Sequence, residues 1–345
     1  MDHNVGVEDL FGERSVYQTY LDVESALARA QARIGVIPQF AADRITNCAE
    51  IDKLSLENIY LGLRNTGHAL VPVIWELDRV CGPEAGGYIH WGATTQNITQ
   101  TGKLLIVKRC HRLLLRDIGR LLDILASVAE VSRDYVMPGR THGQHAVPVT
   151  FGYKVAVWID EIIRHVERMK GCEGRVFSVM LGGGAGTLAS VGIEGIETQD
   201  LMAEELGMAS MTMPSRVIGD HLVEYISILA MFASTATKIA REIYTLMKQE
   251  FGEVEEPIPQ GRVGSSTMPQ KRNPSKCQSI IAWGREVRMF VPMCLEAMQQ
   301  EHEAEGSGDK SFGVAIDRTC ILTSQILHAL IDIFSGIKIF PDRMR

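Results

Sequence analysis

The sequence predicts an all-α protein that folds as an elongated bundle of long helices. Only 12 of the 345 residues are proline, and they cluster, so long stretches contain no residue that breaks a helix. Within these stretches the apolar residues recur at spacings of three, four and seven, which is the pattern of an amphipathic helix. The strict alternation of apolar and polar residues that marks a strand is scarce.

Five segments carry the helical pattern over many turns. The predicted long helices are, in chain order, 101–133, 151–170, 218–249, 275–300 with a kink at Pro292, and 314–337. The third contains LVEYISILAMFASTA (222–236), which is apolar around much of the helix circumference. Such a helix needs packing partners on more than one side, so we expect a bundle that buries further surface by oligomerising.

The bulk composition argues against several classes of partner. A formal net charge of -7 at pH 7 disfavours nucleic acid and anionic membrane surfaces, because both recruit clustered Lys and Arg. The seven cysteines form no CxxC pair, which favours a reducing cytoplasm over a disulfide framework or a zinc site. The N-terminus lacks a basic region followed by an apolar run, and no stretch approaches the roughly 18 apolar residues of a membrane span. We therefore expect a globular cytoplasmic protein that neither enters a membrane nor binds nucleic acid.

Polar segments that do not fit the helical period separate the predicted helices. YIHWGATTQN (88–97), MPGRTHGQHAVP (137–148) and MLGGGAGTLASVG (180–192) are rich in Gly, Thr, Ser, His or Asn. Loops of this kind on a rigid scaffold commonly carry binding groups. The glycine run of the third segment lacks the GxxxxGK[ST] order and a strand-linked GxGxxG context, which disfavours a nucleotide cradle. The two histidines of HGQH have no nearby carboxylate, so no metal site is predicted.

A further polar segment, GSSTMPQKRNP (264–274), combines groups that could bind and deprotonate an acid. Gly264 permits backbone conformations closed to other residues, while Lys271 and Asn273 offer a cation and a directional donor for a carboxylate. Ser265 or Ser266 would then lie beside the bound acid. A serine is a poor base unless cations or backbone amides stabilise its alkoxide, which this Lys/Arg-rich loop could help to do. The alternative is a solvated surface loop, which the length and order of the motif disfavour.

GSSTMPQKRNP resembles the signature loop of the fumarase/aspartase superfamily, GSSxMPxKxNP. GATTQN (92–97) and GRTHGQHAVP (139–148) resemble the other two shared regions and occur in the expected order. The similarity runs over nearly the whole chain, from FGERSVY near the N-terminus to FPDRMR at the end. The resemblance implies a mostly helical homotetramer with a twenty-helix core and active sites assembled from three subunits. It implies no organic cofactor.

For the reaction, the resemblance implies an anti β-elimination from a succinyl group. A base removes the Cβ proton, an aci-carboxylate carbanion forms, and the Cα–X bond breaks to give fumarate and an amine or alcohol. Ser265 matches the family's base and His142 its general acid, while Lys271 and Asn273 match carboxylate-binding residues. An imidazole suits the acid role because it can deliver a proton to a leaving nitrogen near neutral pH. The further substrate contacts implied are His68, Thr94, Thr95, Gln96, Thr141, His145, Ser266 and Met268.

Two of these polar side chains, His68 and His145, have open alternatives. His68 falls where adenylosuccinate lyases carry a second histidine, but a histidine on an apolar helix is also commonly a satisfied structural residue. His145 could contact the substrate or support His142 in the same segment. Asn97 could assist Thr94, Thr95 and Gln96 at the second carboxylate.

Two branches of the superfamily compete for the specific activity. The THGQHA segment and His68 resemble adenylosuccinate lyase. LGGGAGTLASVG, GEVEEP and MQQEHE resemble the 3-carboxy-cis,cis-muconate cycloisomerases, which close a lactone ring and release no fumarate. Bacterial cycloisomerases tend to carry a tryptophan at the position of His142, so the histidine favours elimination with a basic leaving group. We predict a fumarate-forming carbon-nitrogen lyase, with the cycloisomerase as the alternative.

The leaving group stays open at this point. Adenylosuccinate lyases typically have an arginine directly after the HE pair, followed by serines that help to hold the nucleotide phosphate, and Ala304 occupies that arginine position here. Losing a charge-assisted contact of this kind could cost a few kcal/mol unless Lys310 or a neighbour replaces it. A scaffold without activity, as in the lens crystallins of this superfamily, is a third hypothesis. The intact Ser265, His142, Lys271 and Asn273 argue against it.

The expected organisation is an N-terminal helical domain over residues 1–100, with the first shared loop, followed by a central long-helix domain over 101–345. Relatives in this superfamily continue into a small C-terminal helical domain, which we expect to be truncated or missing from the sequence given.

Overall fold

The structure, a computed structural model, describes residues 6–258, 268 and 270–345. Most of these residues are helical. The α-helices are α1 (Val7–Leu10), α2 (Glu13–Arg33), α3 (Gln39–Cys48), α4 (Leu56–Thr66), α5 (Val71–Cys81), α6 (Thr95–Val131), α7 (Phe151–Val176), α8 (Gly195–Leu206), α9 (Asp220–Leu246), α10 (Ser275–Ala297), α11 (Gly306–Gly336) and α12 (Pro341–Met344). Short 3-10 helices lie at Ile51–Lys53, Gly86–Tyr88 and Gly192–Glu194.

The first of two compact units contains the N-terminal part of the chain. It comprises Met1–Cys110, Cys172–Leu222 and Glu296–Phe312. Helix α2 packs against α3 and α8 in this unit. Leu21, Val23 and Ala30 of α2 are fully buried. The core of this unit therefore forms around α2, as expected for a helix with apolar residues on several sides.

The second compact unit comprises His111–Gly171, Val223–Leu295 and Gly313–Arg345. Segments of the five predicted long helices pack against one another in it. Trp158 of α7 contacts Phe334 of α11, with ring centroids 5.8 Å apart, and His165 of α7 lies 2.8 Å from the hydroxyl of Thr235 on α9. Further contacts between these helices are His111 with Tyr225, Asp117 with His328, and Glu286 with Arg318.

Three two-stranded sheets accompany the helices in the described ranges. Strands β1 (Val136–Thr141) and β2 (Gln144–Thr150) form an antiparallel hairpin, β3 (Ser178–Val179) pairs in parallel with β4 (Ala209–Ser210), and β5 (Val254–Glu255) pairs antiparallel with β6 (Lys338–Ile339). The prediction of a mostly helical fold is confirmed, and the hairpin is the main addition to it.

The hairpin corrects the expectation that 137–148 is a loop. Pro138 and Pro148 pair with each other in the register, and prolines within a run argue against a strand because they cannot donate to a ladder. A two-stranded ribbon tolerates them, since its outer edges have no neighbouring strand. The register shifts between Pro138 and Arg140, which leaves a bulge in the ribbon.

Two helices begin earlier than predicted. Helix α6 begins at Thr95 rather than 101, and the Asn97 side chain accepts a hydrogen bond from the N–H of Thr94 (2.9 Å), which satisfies a free amide at the helix start. Helix α11 begins at Gly306 rather than 314, where the Glu305 carboxylate accepts from the N–H of Ser307 (2.8 Å). Side-chain caps outside the apolar pattern therefore set both starts.

Helices α9 and α11 are long and apolar enough, by length and composition, to cross a membrane. Of their most apolar windows, 72% and 67% respectively are buried inside the protein. A helix that is apolar around its circumference is expected in the core of a large bundle, which is the position that these two helices take.

Candidate active site

His68 and Thr95, two predicted substrate contacts, lie together in the first unit. The N–H of Val71, at the start of α5, donates to Nδ1 of His68 (3.2 Å). The ring proton is then on Nε2, which lies 3.3 Å from the Thr95 hydroxyl. Both side chains are partly exposed. His68 thus has a structural role at a helix start and still directs an N–H towards the first turn of α6.

The Gln96 amide is engaged by protein groups at both of its ends. Its oxygen accepts from Nε of Arg216 (2.8 Å). Its nitrogen donates to the backbone oxygen of Arg216 (2.8 Å), to Gln100 (3.0 Å) and to Asp309 (3.2 Å). Gln96 is only 8% exposed. The predicted contact between Gln96 and substrate stays a prediction, and the bonds of this amide position Arg216 and Asp309.

The Asn97 side chain is hydrogen-bonded to protein groups, chiefly backbone amides. It is fully buried, and its side-chain oxygen accepts from the N–H groups of Thr94 (2.9 Å) and Gly183 (3.1 Å). The glycine-rich segment turns there between α7 and α8, with Gly183 and Gly186 at φ values of 67° and 81°. The expectation that Asn97 assists the neighbouring threonines at a substrate carboxylate stays a prediction, and its bond to the N–H of Thr94 helps to position that residue.

A side-chain pair that the motifs did not indicate holds the residues directly before the first shared loop. His90, at a positive φ of 62°, places Nδ1 2.6 Å from a carboxylate oxygen of Glu24, which is 2% exposed. About two turns further along the same face of α2, Gln31 donates to the backbone oxygen of Trp91 (2.8 Å). Glu24 and Gln31 are seven residues apart on an otherwise apolar face of α2. Two polar residues at that spacing on an apolar face are a sequence pattern from which these buried contacts could have been predicted.

The hairpin presents His142 at its tip in the second unit. His142 and Gly143 form the two-residue connection between β1 and β2, at φ values of 52° and 75°. Thr141 pairs with Gln144, and Arg140 pairs with His145. Thr141, His142 and His145 are all exposed. The three residues predicted from this segment are therefore held on one ribbon and open to a ligand.

An ion pair with a buried carboxylate anchors the hairpin close to its tip. Both terminal nitrogens of Arg140 donate to the carboxylate of Glu253, one of them at 3.1 Å. The Glu253 side chain is 2% exposed, and the Arg140 guanidinium also lies over the Phe251 ring, 4.8 Å from its centroid. Removing one partner of a buried pair typically costs about 3–5 kcal/mol, since the other charge is left without compensation. The ion pair therefore fixes the strand that leads directly to His142.

The third shared region is described only in part. Ser265 and Ser266, the predicted base and its neighbour, lie outside the described residues. Met268, Lys271 and Asn273 are exposed. Within the described ranges the Lys271 ammonium has no carboxylate partner, so its charge is available to an anion. Arg272, by contrast, lies 3.8 Å from Glu255 of β5, an ion-pair contact.

Glu256 holds the far end of this region, where α10 begins. Its carboxylate accepts from the N–H groups of Lys276 (3.1 Å) and Cys277 (2.8 Å), and the residue is 5% exposed. A carboxylate at a helix start satisfies free amides and complements the helix dipole. The segment that carries Lys271 and Asn273 therefore leads into a capped, buried helix start.

A family model described as "Lyase" matches residues 7–288 of the chain. Among similar proteins, an adenylosuccinate lyase of Methanothermobacter thermautotrophicus is 37% identical over 95% of this chain and 74% of its own. An N-acetyl-S-(2-succino)cysteine lyase of Dickeya dadantii is 34% identical over 99% of this chain and 76% of its own. A 3-carboxy-cis,cis-muconate cycloisomerase of Pseudomonas aeruginosa is 35% identical, with 97% and 74% covered.

Solved structures of similar proteins have the same fold. A fumarate lyase from Mesorhizobium sp. BNC1 superposes with a TM-score of 0.90 at 35% identity, covering 98% of this chain and 76% of that one. The 3-carboxy-cis,cis-muconate lactonizing enzyme from Pseudomonas putida superposes with a TM-score of 0.91 at 32% identity, with the same two coverages. Relatives of comparable similarity thus carry different activities on one fold.

Proposed function

The chain belongs to the lyase family, within the fumarase/aspartase (fumarate lyase) superfamily, and we propose on this basis that it eliminates an amine from a substituted succinate to release fumarate. The observation that carries the proposal is the exposed His142 at the tip of an anchored hairpin. A general acid must reach the leaving nitrogen, and an imidazole can protonate it near neutral pH. Position and chemistry both suit His142 to that role.

In the proposed reaction Ser265 takes the proton from Cβ of the succinyl group. The electron pair of that C–H bond moves into the adjacent carboxylate, which becomes an aci-carboxylate with additional negative charge. Lys271 and Asn273 bind this carboxylate through an ammonium and an amide donor. Donors that meet developing charge stabilise the carbanion and so lower the barrier to proton removal.

In the second half of the proposed reaction the electron pair returns and the Cα–N bond breaks. The His142 imidazolium donates its proton to the departing nitrogen, so the products are fumarate and a neutral amine. Ser265 gains one proton and His142 loses one, and transfer back through solvent restores both groups. Thr94, Thr95, Thr141, His145 and His68 offer hydroxyl and ring donors for the second carboxylate.

Lactone formation from 3-carboxy-cis,cis-muconate is the second candidate function. The relative from Pseudomonas aeruginosa and the solved structure from Pseudomonas putida, both named for that reaction, favour it. This reaction closes a ring by adding a carboxylate oxygen to a double bond and releases no fumarate. It needs no acid for a leaving nitrogen, so the exposed His142 supports elimination over ring closure.

The proposed assembly is a homotetramer with a twenty-helix core, in which each active site draws its three shared regions from three subunits. Exposed apolar side chains on α7, α10 and α11 support it, because an assembly would bury them. In the second unit Tyr153, Met289 and Val314 are 62%, 69% and 64% exposed.

The proposed domain boundary at residue 100 and the proposed cytoplasmic location belong to the same hypothesis. The cysteines are buried and free, which fits a reducing compartment.

The reverse reaction provides the test of this function. The protein is incubated with fumarate and single amines, among them AMP, ammonia, aspartate, arginine and diamines, and succinyl adducts are measured by mass spectrometry. We expect an adduct whose rate of formation falls by about 10²-fold or more in Ser265→Ala and in His142→Ala. His328→Ala is the matched control, because His328 is an exposed histidine that contacts Asp117 on the helical face of the second unit.

A parallel incubation with 3-carboxymuconate separates the two candidates. Lactone without any succinyl adduct would replace the elimination by the cycloisomerase reaction. An adduct that persists unchanged in both site variants would remove Ser265 and His142 from the mechanism.

A further inference from the structure

Two opposite charges lie beside the first shared loop without pairing to each other. Arg216 donates from Nε to the Gln96 amide oxygen (2.8 Å), and Asp309 accepts from the Gln96 amide nitrogen (3.2 Å). Within the described part of the chain no ion pair joins Arg216 and Asp309. Oppositely charged side chains that fold so near one another commonly pair directly. Here the buried Gln96 amide binds Arg216 through its oxygen and Asp309 through its nitrogen. Other atoms of both charged groups are therefore available to a ligand.

Arg216 keeps most of its donors for a ligand. Its Nη1 donates to the backbone oxygen of Gly184 (2.9 Å), so with the bond to Gln96 it uses two of the five N–H donors of a guanidinium. The side chain is partly exposed, and no carboxylate among the described residues lies within ion-pair distance. The remaining edge of the guanidinium suits a carboxylate, which it can bind in bidentate geometry.

Asp309 and two glutamines complete the cluster. Burial raises the pKa of Asp309, while the nearby Arg216 and Gln300 act to lower it. The Gln100 side-chain nitrogen and the Gln300 side-chain oxygen are buried and have no hydrogen-bond partner among the described residues. One is a donor and the other an acceptor, and a buried polar group left without a hydrogen-bond partner destabilises the fold. A polar ligand that offers one acceptor and one donor would satisfy both.

The charges favour a dipolar ligand over a phosphorylated one. A guanidinium and a carboxylate held apart match the two ends of an amino acid. A phosphate would meet the Asp309 carboxylate here. At the nearby start of α11 the amides of Ser307 (2.8 Å) and Gly308 (3.4 Å) are already occupied by the Glu305 carboxylate. Ala304, beside Glu305, adds no cation.

We propose that the cluster of Gln96, Gln100, Arg216, Gln300 and Asp309 binds the leaving group, and that this group is an amino acid attached to the succinyl carbon through its side chain. Its α-carboxylate meets Arg216, and its α-ammonium meets Asp309 and Gln300. The inference rests on the proposed function, because it places the leaving group beside Thr95 and His68, which would hold the succinyl part. Gln96 is a positioning residue that keeps the two charges apart.

Three matched amines test this selectivity in the addition of amine to fumarate. L-2,4-diaminobutyrate carries both groups, 1,3-diaminopropane lacks the carboxylate, and 4-aminobutyrate lacks the α-ammonium. We expect the wild-type protein to use L-2,4-diaminobutyrate with a kcat/KM about tenfold or more above either truncated amine and above AMP. Arg216→Met should abolish the preference over 1,3-diaminopropane only, and Asp309→Asn the preference over 4-aminobutyrate only.

Arg120→Met and Asp123→Asn are the matched controls, since both residues are exposed on the helical face of α6. These variants should keep both preferences. A merely structural role of Arg216 or Asp309 would lower all three rates together and leave the preferences unchanged. Equal rates with the three amines, or faster addition of AMP, would overturn the assignment of the leaving group while the elimination itself stands.

A binding measurement separates this inference from the reaction. The thermal unfolding midpoint is recorded with each of the three amines, for the wild-type protein and for both variants. If no amine adds to fumarate but L-2,4-diaminobutyrate alone raises the midpoint, and does so only in the wild-type protein, the subsite stands and the proposed elimination fails. If the midpoint responds equally to all three amines, or not at all, the subsite is wrong.

Discussion

At the scale of single residues, His142 stands at a backbone position that favours glycine or asparagine. Its φ of 52° and the 75° of Gly143 belong to the left-handed region, and a two-residue hairpin connection with both values positive prefers Asn-Gly. A histidine tolerates this conformation at a cost of about 1–2 kcal/mol relative to the right-handed one. The turn alone therefore does not explain the histidine, and a strained residue held by its surroundings is a functional candidate.

We expect His142→Gly to separate stability from activity. Glycine adopts the left-handed conformation without steric cost but loses more backbone entropy on folding, so the free energy of unfolding should be unchanged or higher by up to about 1 kcal/mol. The fumarate-forming activity should fall by about 10²-fold or more, because the general acid is removed. Urea unfolding and assay of the same preparation measure the two effects. A fall in the free energy of unfolding of more than about 1 kcal/mol would mean that the His142 imidazole stabilises the fold by packing. The histidine at this position would then be explained by stability and not by catalysis.

The residue types of the site could be read from the motifs, but their partners could not. GATTQN suggested polar contacts for a carboxylate, whereas the structure engages the Gln96 amide with Arg216 and Asp309, which lie 120 and 213 positions further along the chain. No local pattern reports contacts at that separation. The motif likewise gave no sign that Asn97 would bind Gly183, 86 positions away. Long-range hydrogen bonds decide which motif residues remain free for substrate.

At the scale of secondary-structure elements, the apolar period predicted the long helices and missed their ends. The starts of α6 and α11 are set by Asn97 and Glu305, and hydrophobic periodicity does not report side-chain caps. The hairpin was missed for a related reason. Its two prolines occupy positions where a ladder bond is dispensable, and a sequence pattern cannot show that before the strand partners are known.

We expect Glu256→Gln to weaken the start of α10 and the binding of substrate together. The buried carboxylate accepts from two backbone amides, and replacing it with a neutral amide removes one acceptor and a charge that complements the helix dipole. The free energy of unfolding should fall by about 1–2 kcal/mol, and KM should rise because Lys271 and Asn273 directly precede this helix. Urea titration and initial rates measure both.

Glu305→Gln is the matched control for that element, because Glu305 makes the same kind of cap at the start of α11 but is more exposed. It should change stability less than Glu256→Gln. Equal losses in the two variants would show that burial does not strengthen the Glu256 cap.

At the scale of the whole molecule, the predicted site residues divide between the two compact units. His68, Thr95 and Gln96 belong to the first unit, while His142 and Lys271 belong to the second. Helices α6, α7, α9, α10 and α11 contribute residues to both units. The long helices could be predicted because one period repeats along each of them. The grouping of their segments into units depends on contacts between distant parts of the chain, which no single period encodes.

The proposed sharing of active sites between subunits predicts complementation between two inactive variants. In His68→Ala and in His142→Ala every chain carries one defect, so each variant alone should be inactive. If each site takes His68 and His142 from different chains, random exchange of subunits at equal amounts makes both histidines intact in about a quarter of the sites. Activity should then recover to about a quarter of the wild-type value after the mixed subunits are unfolded and refolded together. The doubly substituted chain, refolded alone, is the control and should stay inactive. If mass spectrometry shows mixed tetramers but activity does not return, both histidines of a site come from one chain, and the shared-site assembly is wrong for this protein.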